Sequence, residues 1–563
     1  MQRASVISAE REPTQNKDID DKVCKPYFVP DTFPRMVRRV SSFPPQRPYQ
    51  VHYGASSNIS LLNHLYQSFN PLFGGDFLIR RLHNFSESLG ESSTKMIDPA
   101  AISEFCQKTI FLADEVAPAL AEEILEHFLA VHRLLIPVQK PQAIKCDLHS
   151  LYDIESIPAL SNARRRALLL MLATASLTTR HHKLADIFIH YFNELSSSAD
   201  DNLTTSSIEI DCLLIQHAFY YTEKGLSNDA YLSIGSATRK IFSAGLHRDP
   251  PQGSRSDLEI EEQRNLNFNN RNSWICVHLG RPSSFTAVQL AVPPPKDPFL
   301  LALVGLSEIM TKCSNQIYIP NKGSLLPIWM SAVALISDLH KYEDMIIDTF
   351  GFGLHHRSQI GELDVPQTIL TTLYLHTFIL IFRPFVIFGG KLKTQKPCSD
   401  SSEHGSRSNP PWLDTACGYA LDATKKLIDY LFLAISSNQT VKDMRYNHVF
   451  LENCCAVLSY DILHDRDKVP AHVPSINKSL ACLSQMRPGE QVQRIITSFQ
   501  TLLAGIESAN ALNHTDWTSE ISIAKLDGSS ADYTPSSIYD SSTWSPPKES
   551  IEVLNDPAHF ILS

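Results

Sequence analysis

Between Ile369 and Phe382 the chain reads ILTTLYLHTFILIF, without one charged side chain. Apolar surface of that density has to leave water. The run falls short of the ~20 residues that a membrane-crossing helix needs. Arg383-Pro384 follows it directly, where proline's missing N–H and the restricted residue before it are expected to end a helix. The reading is a helix buried in a protein core, and a helix covered on every side implies a large core. With 563 residues the chain is long enough for one, or for more than one domain.

The period of the remaining apolar positions is helical almost throughout. Leu120, Ile124, Phe128, Val131 and Leu135 line one face ahead of Pro137, and Val492, Ile495, Phe499 and Leu502 do the same near the other end. Strand-like alternation is scarce, and the Asp527-Gly528 turn signal falls in a polar segment. No repeat of fixed period marks a helical solenoid. These features predict an all-α fold with a single large helical domain.

Composition sets its limits. Residues 1–50 are polar, with Pro30, Pro34, Pro44, Pro45 and Pro48, and read as a disordered basic and proline-rich linker. The body is expected over 51–512, interrupted by a Ser/Pro/charge-rich loop at 393–411 that is expected to be disordered. From 513 to 563 periodicity is lost again in an acidic tail. A formal net charge of -10 argues against a broad basic nucleic-acid surface, so any DNA contact would have to be local. The first thirty residues carry charges and prolines in place of an apolar stretch, so no secretory signal is expected. Eleven cysteines without regular spacing suit reduced thiols better than disulfides or a structural zinc site, and Cys454-Cys455 reads as core.

The segment SIGSATRKIFSAGLHRD, Ser233 to Asp249, combines helical spacing at Ile234, Ala237, Ile241 and Ala244 with a glycine, a histidine and an arginine. Gly245 stands where a left-handed residue closes a helix, Leu246 where it would fold back on Ile241, and His247 and Arg248 where cations favour the helix end. The stretch therefore reads as a helix cap, with a catalytic turn as the alternative.

This segment resembles the most recognisable part of the fungal-specific transcription factor regulatory domain, the middle homology region of zinc binuclear cluster transcription factors. Other segments resemble that domain in the same order. HYGASSNISLLNHLYQSF from His52 is similar to its opening motif, LAEEILEHFLAVHRLLIPV to its first long helix, ALLLMLATASL from Ala167 to the next, and LLIQHAFYYTEKGLSNDAYLSIG from Leu213 to the lead into the capped helix. LGRPSS at Leu279 and VPPP at Val292 resemble its Gly-Arg-Pro turn and proline-rich exit. YLHTFILIFRPF from Tyr374 is similar to its Tyr-x-His helix, and ACGYALDATKKLIDYL from Ala416 to the helix after its variable loop. The resemblance runs from about 50 to 505.

Two departures stand beside it. The family carries six closely spaced cysteines holding two zinc ions, whereas this sequence has only Cys24 ahead of the body. Zinc and promoter DNA are thus implied by the family alone, and no residue here is assigned to either. The segment from Gln263 to Gly280, QRNLNFNNRNSWICVHLG, replaces an arginine-rich aromatic helix and is rich in asparagine, a poor helix former. One account covers both, a coding sequence that has lost an upstream exon and mis-joined another; a genuine shortened paralogue is the alternative.

Other constellations carry less. Asp18 to Asp21, DIDD, resembles the acid motif of class II terpene cyclases, but lies in a polar segment where a proton donor lacks the dry pocket it needs. His181-His182 and His355-His356 lack further ligands at metal spacing. No phosphate loop, nucleophile elbow or dinucleotide fingerprint occurs. Arg35, Arg38, Arg39 and Arg47 form a basic patch that would touch phosphate, act as a nuclear localisation patch, or be a solvated linker. The tail from Asn513 sets eight acidic residues and two lysines among Trp517, Tyr533, Tyr539, Trp544 and Phe560, the composition of an activation segment or of a plain solvated tail.

The resulting expectation is a nuclear fungal transcription regulator of RNA polymerase II genes, of a metabolic or secondary-metabolite pathway, with no enzymatic step and no catalytic, cofactor-binding or metal-ligating residue in this chain. The family implies a homodimer or a heterodimer with a zinc-cluster factor, a coactivator would meet the acidic tail, and no membrane is expected. Arg281, Pro282, Arg383 and Pro384 are expected to be structural anchors, each arginine outside helical geometry. The alternatives are a standalone co-regulator acting through protein partners and a helical enzyme of secondary metabolism.

Overall fold

The computed structural model describes residues 36–40, 49–73, 116–136, 140–153, 160–198, 208–249, 260–261, 263–264, 276, 279–281, 293–318, 325–354, 363–394, 411–487 and 489–515. Within these, helices dominate: α1 (Asn58–Phe73), α2 (Pro118–Val131), α3 (Pro141–Tyr152), α4 (Asn162–Leu177), α5 (Leu184–Ser198), α6 (Ile208–Lys224), α7 (Ser227–Ser243), α8 (Pro298–Ile317), α9 (Leu326–Phe350), α10 (Val365–Thr394), α11 (Pro411–Ser437), α12 (Gln439–Asp443), α13 (Asn447–His464), α14 (Val469–Gln485) and α15 (Glu490–Thr515). The fold is all-α, as the helical period predicts. The chain divides into two units, 1–503 and 504–563. In the second, residues 504–515 are helical.

The apolar run from Ile369 to Phe382 lies in α10, which is buried continuously from Gln367 to Gly390. By length and composition α10 could cross a membrane, and its apolar window is wholly buried within the fold. Asp364 starts it by accepting the Gln367 N–H at 2.7 Å. The helix packs on α8, α9, α11 and α13. Trp329 of α9 meets the rings of Phe385 at 6.0 Å and Trp412 at 5.8 Å, which joins α9, α10 and α11 through aromatic contacts.

Here the structure corrects the sequence reading. Proline 384 does not end the helix, and Arg383 is inside helical geometry, because α10 continues to Thr394. Proline leaves the carbonyl four residues earlier, that of Leu380, without its helical donor. The Tyr318 hydroxyl, just past the end of α8, donates to that carbonyl at 2.6 Å. A tertiary hydrogen bond thus replaces the one that proline removes, and burial on all sides holds the helix through the residue it would otherwise stop at.

Smaller features follow local chemistry. Asp297 caps α8 by accepting from the N–H groups of Phe299 and Leu300 at 2.8 and 3.1 Å, with Pro298 at the first helical position. Asn438 caps α12 by accepting from Thr440 and Val441. On α2, Ile124, Phe128 and Val131 are buried, as is Leu135 beyond its end, and Leu120 is half-buried; on α15, Val492, Ile495, Phe499 and Leu502 are buried. Cys454 and Cys455 belong to the core.

The polar N-terminal stretch contains one pairing that the linker reading did not anticipate. Met36–Val40 (β1) pairs antiparallel with Tyr49–Tyr53 (β2), Met36 opposite Tyr53 and Val40 opposite Tyr49. Both strands lack proline; Pro44, Pro45 and Pro48 fall between them, where no ladder hydrogen bond is needed. Of the loop expected to be disordered over 393–411, Lys393 and Thr394 are the end of α10 and Pro411 is the start of α11, and of the tail expected over 513–563, residues 513–515 are helical. Residues 395–410 and 516–563, most of Gln263 to Gly280, His355-His356, Asp18 to Asp21, Cys24, Arg35, Arg47 and Pro282 lie outside the described residues.

Candidate functional site

Helix α7 ends as its sequence proposes. Gly245 has φ +69°, its N–H donates to Phe242 O at 3.1 Å, and the Leu246 N–H donates to Ile241 O at 3.0 Å. That pair of bonds is the Schellman closure, and Leu246 packs with Ile215, Ala237 and Ile241. Gln263 holds the turn from outside, its Nε2 donating to the carbonyls of Leu246 at 2.6 Å and Arg248 at 2.8 Å. His247 packs its ring on Phe242 at 4.9 Å. The Schellman bonds and the Leu246 packing make the stretch a helix cap.

The sequence segments at His52, Leu279 and Tyr374 come together in one buried junction. Gly280 repeats the left-handed turn with φ +63°, and the Arg281 N–H reaches back to Cys276 O at 2.8 Å. Its neighbour Leu279 accepts from the Gly54 N–H at 3.0 Å. The two glycine backbones cross so closely that a Cβ on Gly54 would overlap the Gly280 carbonyl. Next to Gly54, the Ser57 hydroxyl donates to Gly54 O at 2.7 Å and accepts from Ser60 N–H at 3.1 Å, which starts α1.

Two arginines clamp this crossing. Arg281 donates to Asn228 Oδ1 at 2.9 Å and lies over the rings of Tyr53 and Tyr231, 5.6 and 4.9 Å from their centroids. Arg383, 1% exposed, donates to Ser56 O at 2.7 Å and Asn453 Oδ1 at 3.1 Å, and lies 5.7 Å from the Tyr318 ring centroid. Asn453 in turn approaches His376 Nδ1 at 3.4 Å. Both arginines are therefore anchors, one in a turn and one inside a helix.

Sequence reasoning missed the acid in this junction. Glu452 of α13 is 3% exposed. Burial pushes its carboxyl up to about 8, with a hydrogen bond from Asn58 acting the other way. Asn58 also donates to Val449 O at 3.1 Å. Nothing local in ENCC marks Glu452 as a buried acid; only its place on a helix buried all round would have raised it. A second missed acid, Glu223 of α6, is pushed up to about 7 by burial, opposed by Arg445.

Among the described residues no group of three or more His, Cys, Asp or Glu could hold a metal ion. The described cysteines are free, and none forms the closely spaced set of six that a two-zinc cluster requires, so the residues present do not fit that group. The junction as built fixes backbone crossings. The chain matches no protein-family model, no curated protein and no solved structure.

Proposed function

We propose that this chain is the regulatory body of a fungal transcription regulator acting on RNA polymerase II genes, of a metabolic or secondary-metabolite pathway. One observation carries the reading. The segments at His52, Leu279 and Tyr374 that resemble the middle homology region are far apart in sequence, and Gly54, Gly280 and Arg383 within them lie at one junction. A motif set that keeps its order along a chain is expected to serve a shared structural element, and the junction is such an element.

On this proposal the body performs no reaction. It works in the nucleus by changing which surfaces it offers to a dimer partner or coactivator, and DNA contact comes from a zinc cluster of the family's kind, to which no residue of this sequence is assigned. The co-regulator reading differs only in placing that cluster on the partner. The test is a reporter gene of intermediate basal output in yeast, with the full chain fused to an unrelated DNA-binding module. A change in output of about threefold or more, in either direction, is expected relative to the bare module; deleting 513–563 should reduce the change if the acidic tail contacts a coactivator. Output equal to that of the bare module would overturn the regulatory reading.

A further inference from the structure

Away from the junction, a cleft of about 620 Å³ gathers polar groups from three places in the sequence. It is lined by Glu123, Ile124 and His127 of α2, Thr179 and Arg180 just past α4, and Arg487 between α14 and α15. Its size falls within the roughly 300–1,000 Å³ of small-molecule sites.

Its basic groups are held in place. Arg487 donates from Nε to Asp443 Oδ1 at 2.8 Å, and Gln439 donates to the same oxygen at 3.2 Å, so the acid that orients the guanidinium is itself fixed. Asp443 is buried while Arg487 is 40% exposed, and among the described residues the terminal nitrogens of Arg487 meet no protein acceptor. Arg180 donates to His181 Nε2 at 2.9 Å and to Glu123 at 3.3 Å, the latter a solvent-screened pair with both side chains more than half exposed.

His127 adds a proton acceptor. The Thr178 hydroxyl lies 3.0 Å from Ala175 O and 2.9 Å from His127 Nε2, so one ring nitrogen of His127 is paired with it. Protonation of the ring makes both of its nitrogens donors. His132 approaches the same hydroxyl at 3.3 Å, but burial holds it down to about 3, so it stays neutral. The charged or titratable groups around His127 are Glu123 on its own helix, Arg180, Arg487, Asp443 and His132. Burial lowers the pKa of His127, Asp443 raises it and Arg487 lowers it. An anion in the cleft would raise it.

We propose that this cleft binds a small monocarboxylate, its carboxylate between Arg487 and His127. The charged groups already balance, two guanidinium groups against Glu123 and Asp443, so one added negative charge is matched by one proton taken up at His127. A dianion is not matched. As an effector site the cleft rests on the regulatory reading above, but binding is measured on the isolated chain and regulation in the reporter, so the two fail separately.

The probe is benzoate, titrated calorimetrically into the full chain at about pH 6 and about pH 8, with inorganic phosphate as the comparison. One site with a Kd of about 1 mM or tighter is expected at the lower pH, weaker by about fivefold at the higher. Arg487→Gln should weaken binding by about tenfold, and Arg180→Gln by about threefold. His127→Gln should remove the pH dependence. The thermal midpoint of each variant separates a lost site from a lost fold. No saturable binding up to about 20 mM, an affinity unchanged in both arginine variants, or phosphate bound more tightly than benzoate would each overturn the proposal.

Discussion

Gly245 and Gly280 share one turn geometry and answer to different masters. Each has a positive φ, and each is followed by a residue whose N–H reaches back five positions along the chain. A Cβ on Gly245 would meet nothing within 4 Å, whereas one on Gly280 would meet the Gly54 backbone at 2.6 to 2.7 Å. At Gly245 the requirement is local conformation alone. At Gly280 it is conformation plus the close approach of a strand end more than two hundred residues earlier. A glycine in a helix-closing motif is thus readable from sequence, but whether it also carries a tertiary contact is not.

The largest effect expected from this contrast is at Gly280. Gly280→Ala should destabilise the protein by about 3 kcal/mol, left-handed strain adding to backbone overlap, as read by denaturant unfolding. A cost near that of Gly245→Ala would break the comparison. Next is a pH effect at the junction. Glu452 has its folded pKa raised from 4.5 to about 8, so its contribution is fully present below the unfolded value and is lost as pH rises through about 8. Stability at about pH 9 should therefore fall by roughly 2 kcal/mol relative to about pH 6 from this group, and Glu452→Gln should remove that share of the decline. A variant with the same pH profile as the parent would place the acid elsewhere.

A smaller contrast sets Arg281 against Arg248. Arg281→Ala removes two cation–aromatic contacts and a hydrogen bond to Asn228, and should cost about 1.5 kcal/mol. Arg248, exposed and bonded by its side chain to His247, should cost under about 0.5 kcal/mol when replaced by alanine. Equal losses in thermal unfolding would mean that the Gly280 turn is no better anchored than the Gly245 turn. The smallest expected change of the glycine series is Gly245→Ala at about 1 kcal/mol, the cost of a left-handed alanine in open space.

Much of the helical body is legible because its signals are local. The α7 cap needs only the order Ile241, Gly245, Leu246, and the face of α2 only the spacing of Ile124, Phe128 and Val131. The two Arg-Pro pairs show where locality ends. Arg281 follows the Gly280 turn outside any described helix, while Arg383 continues a helix because Tyr318, 62 residues away from Leu380, supplies the missing hydrogen bond. No rule over neighbouring residues contains that hydroxyl. The β1–β2 pairing was hidden for a related reason, since its short strands sit among prolines that set the segment's overall composition. Of the cleft, His127, Arg180 and Arg487 are unremarkable in sequence, and only the packing of α2 against α4 and α12 brings their surroundings together.

The central claim is that the Gly54 and Gly280 segments meet backbone to backbone, and a double-mutant cycle of Gly54→Ala and Gly280→Ala tests it by denaturant unfolding. Because either methyl group forces the same crossing apart, the account predicts that the double variant loses at least about 1 kcal/mol less than the sum of the two single losses. Losses that add to within about 0.5 kcal/mol would mean that the two glycines act independently, and would contradict the junction.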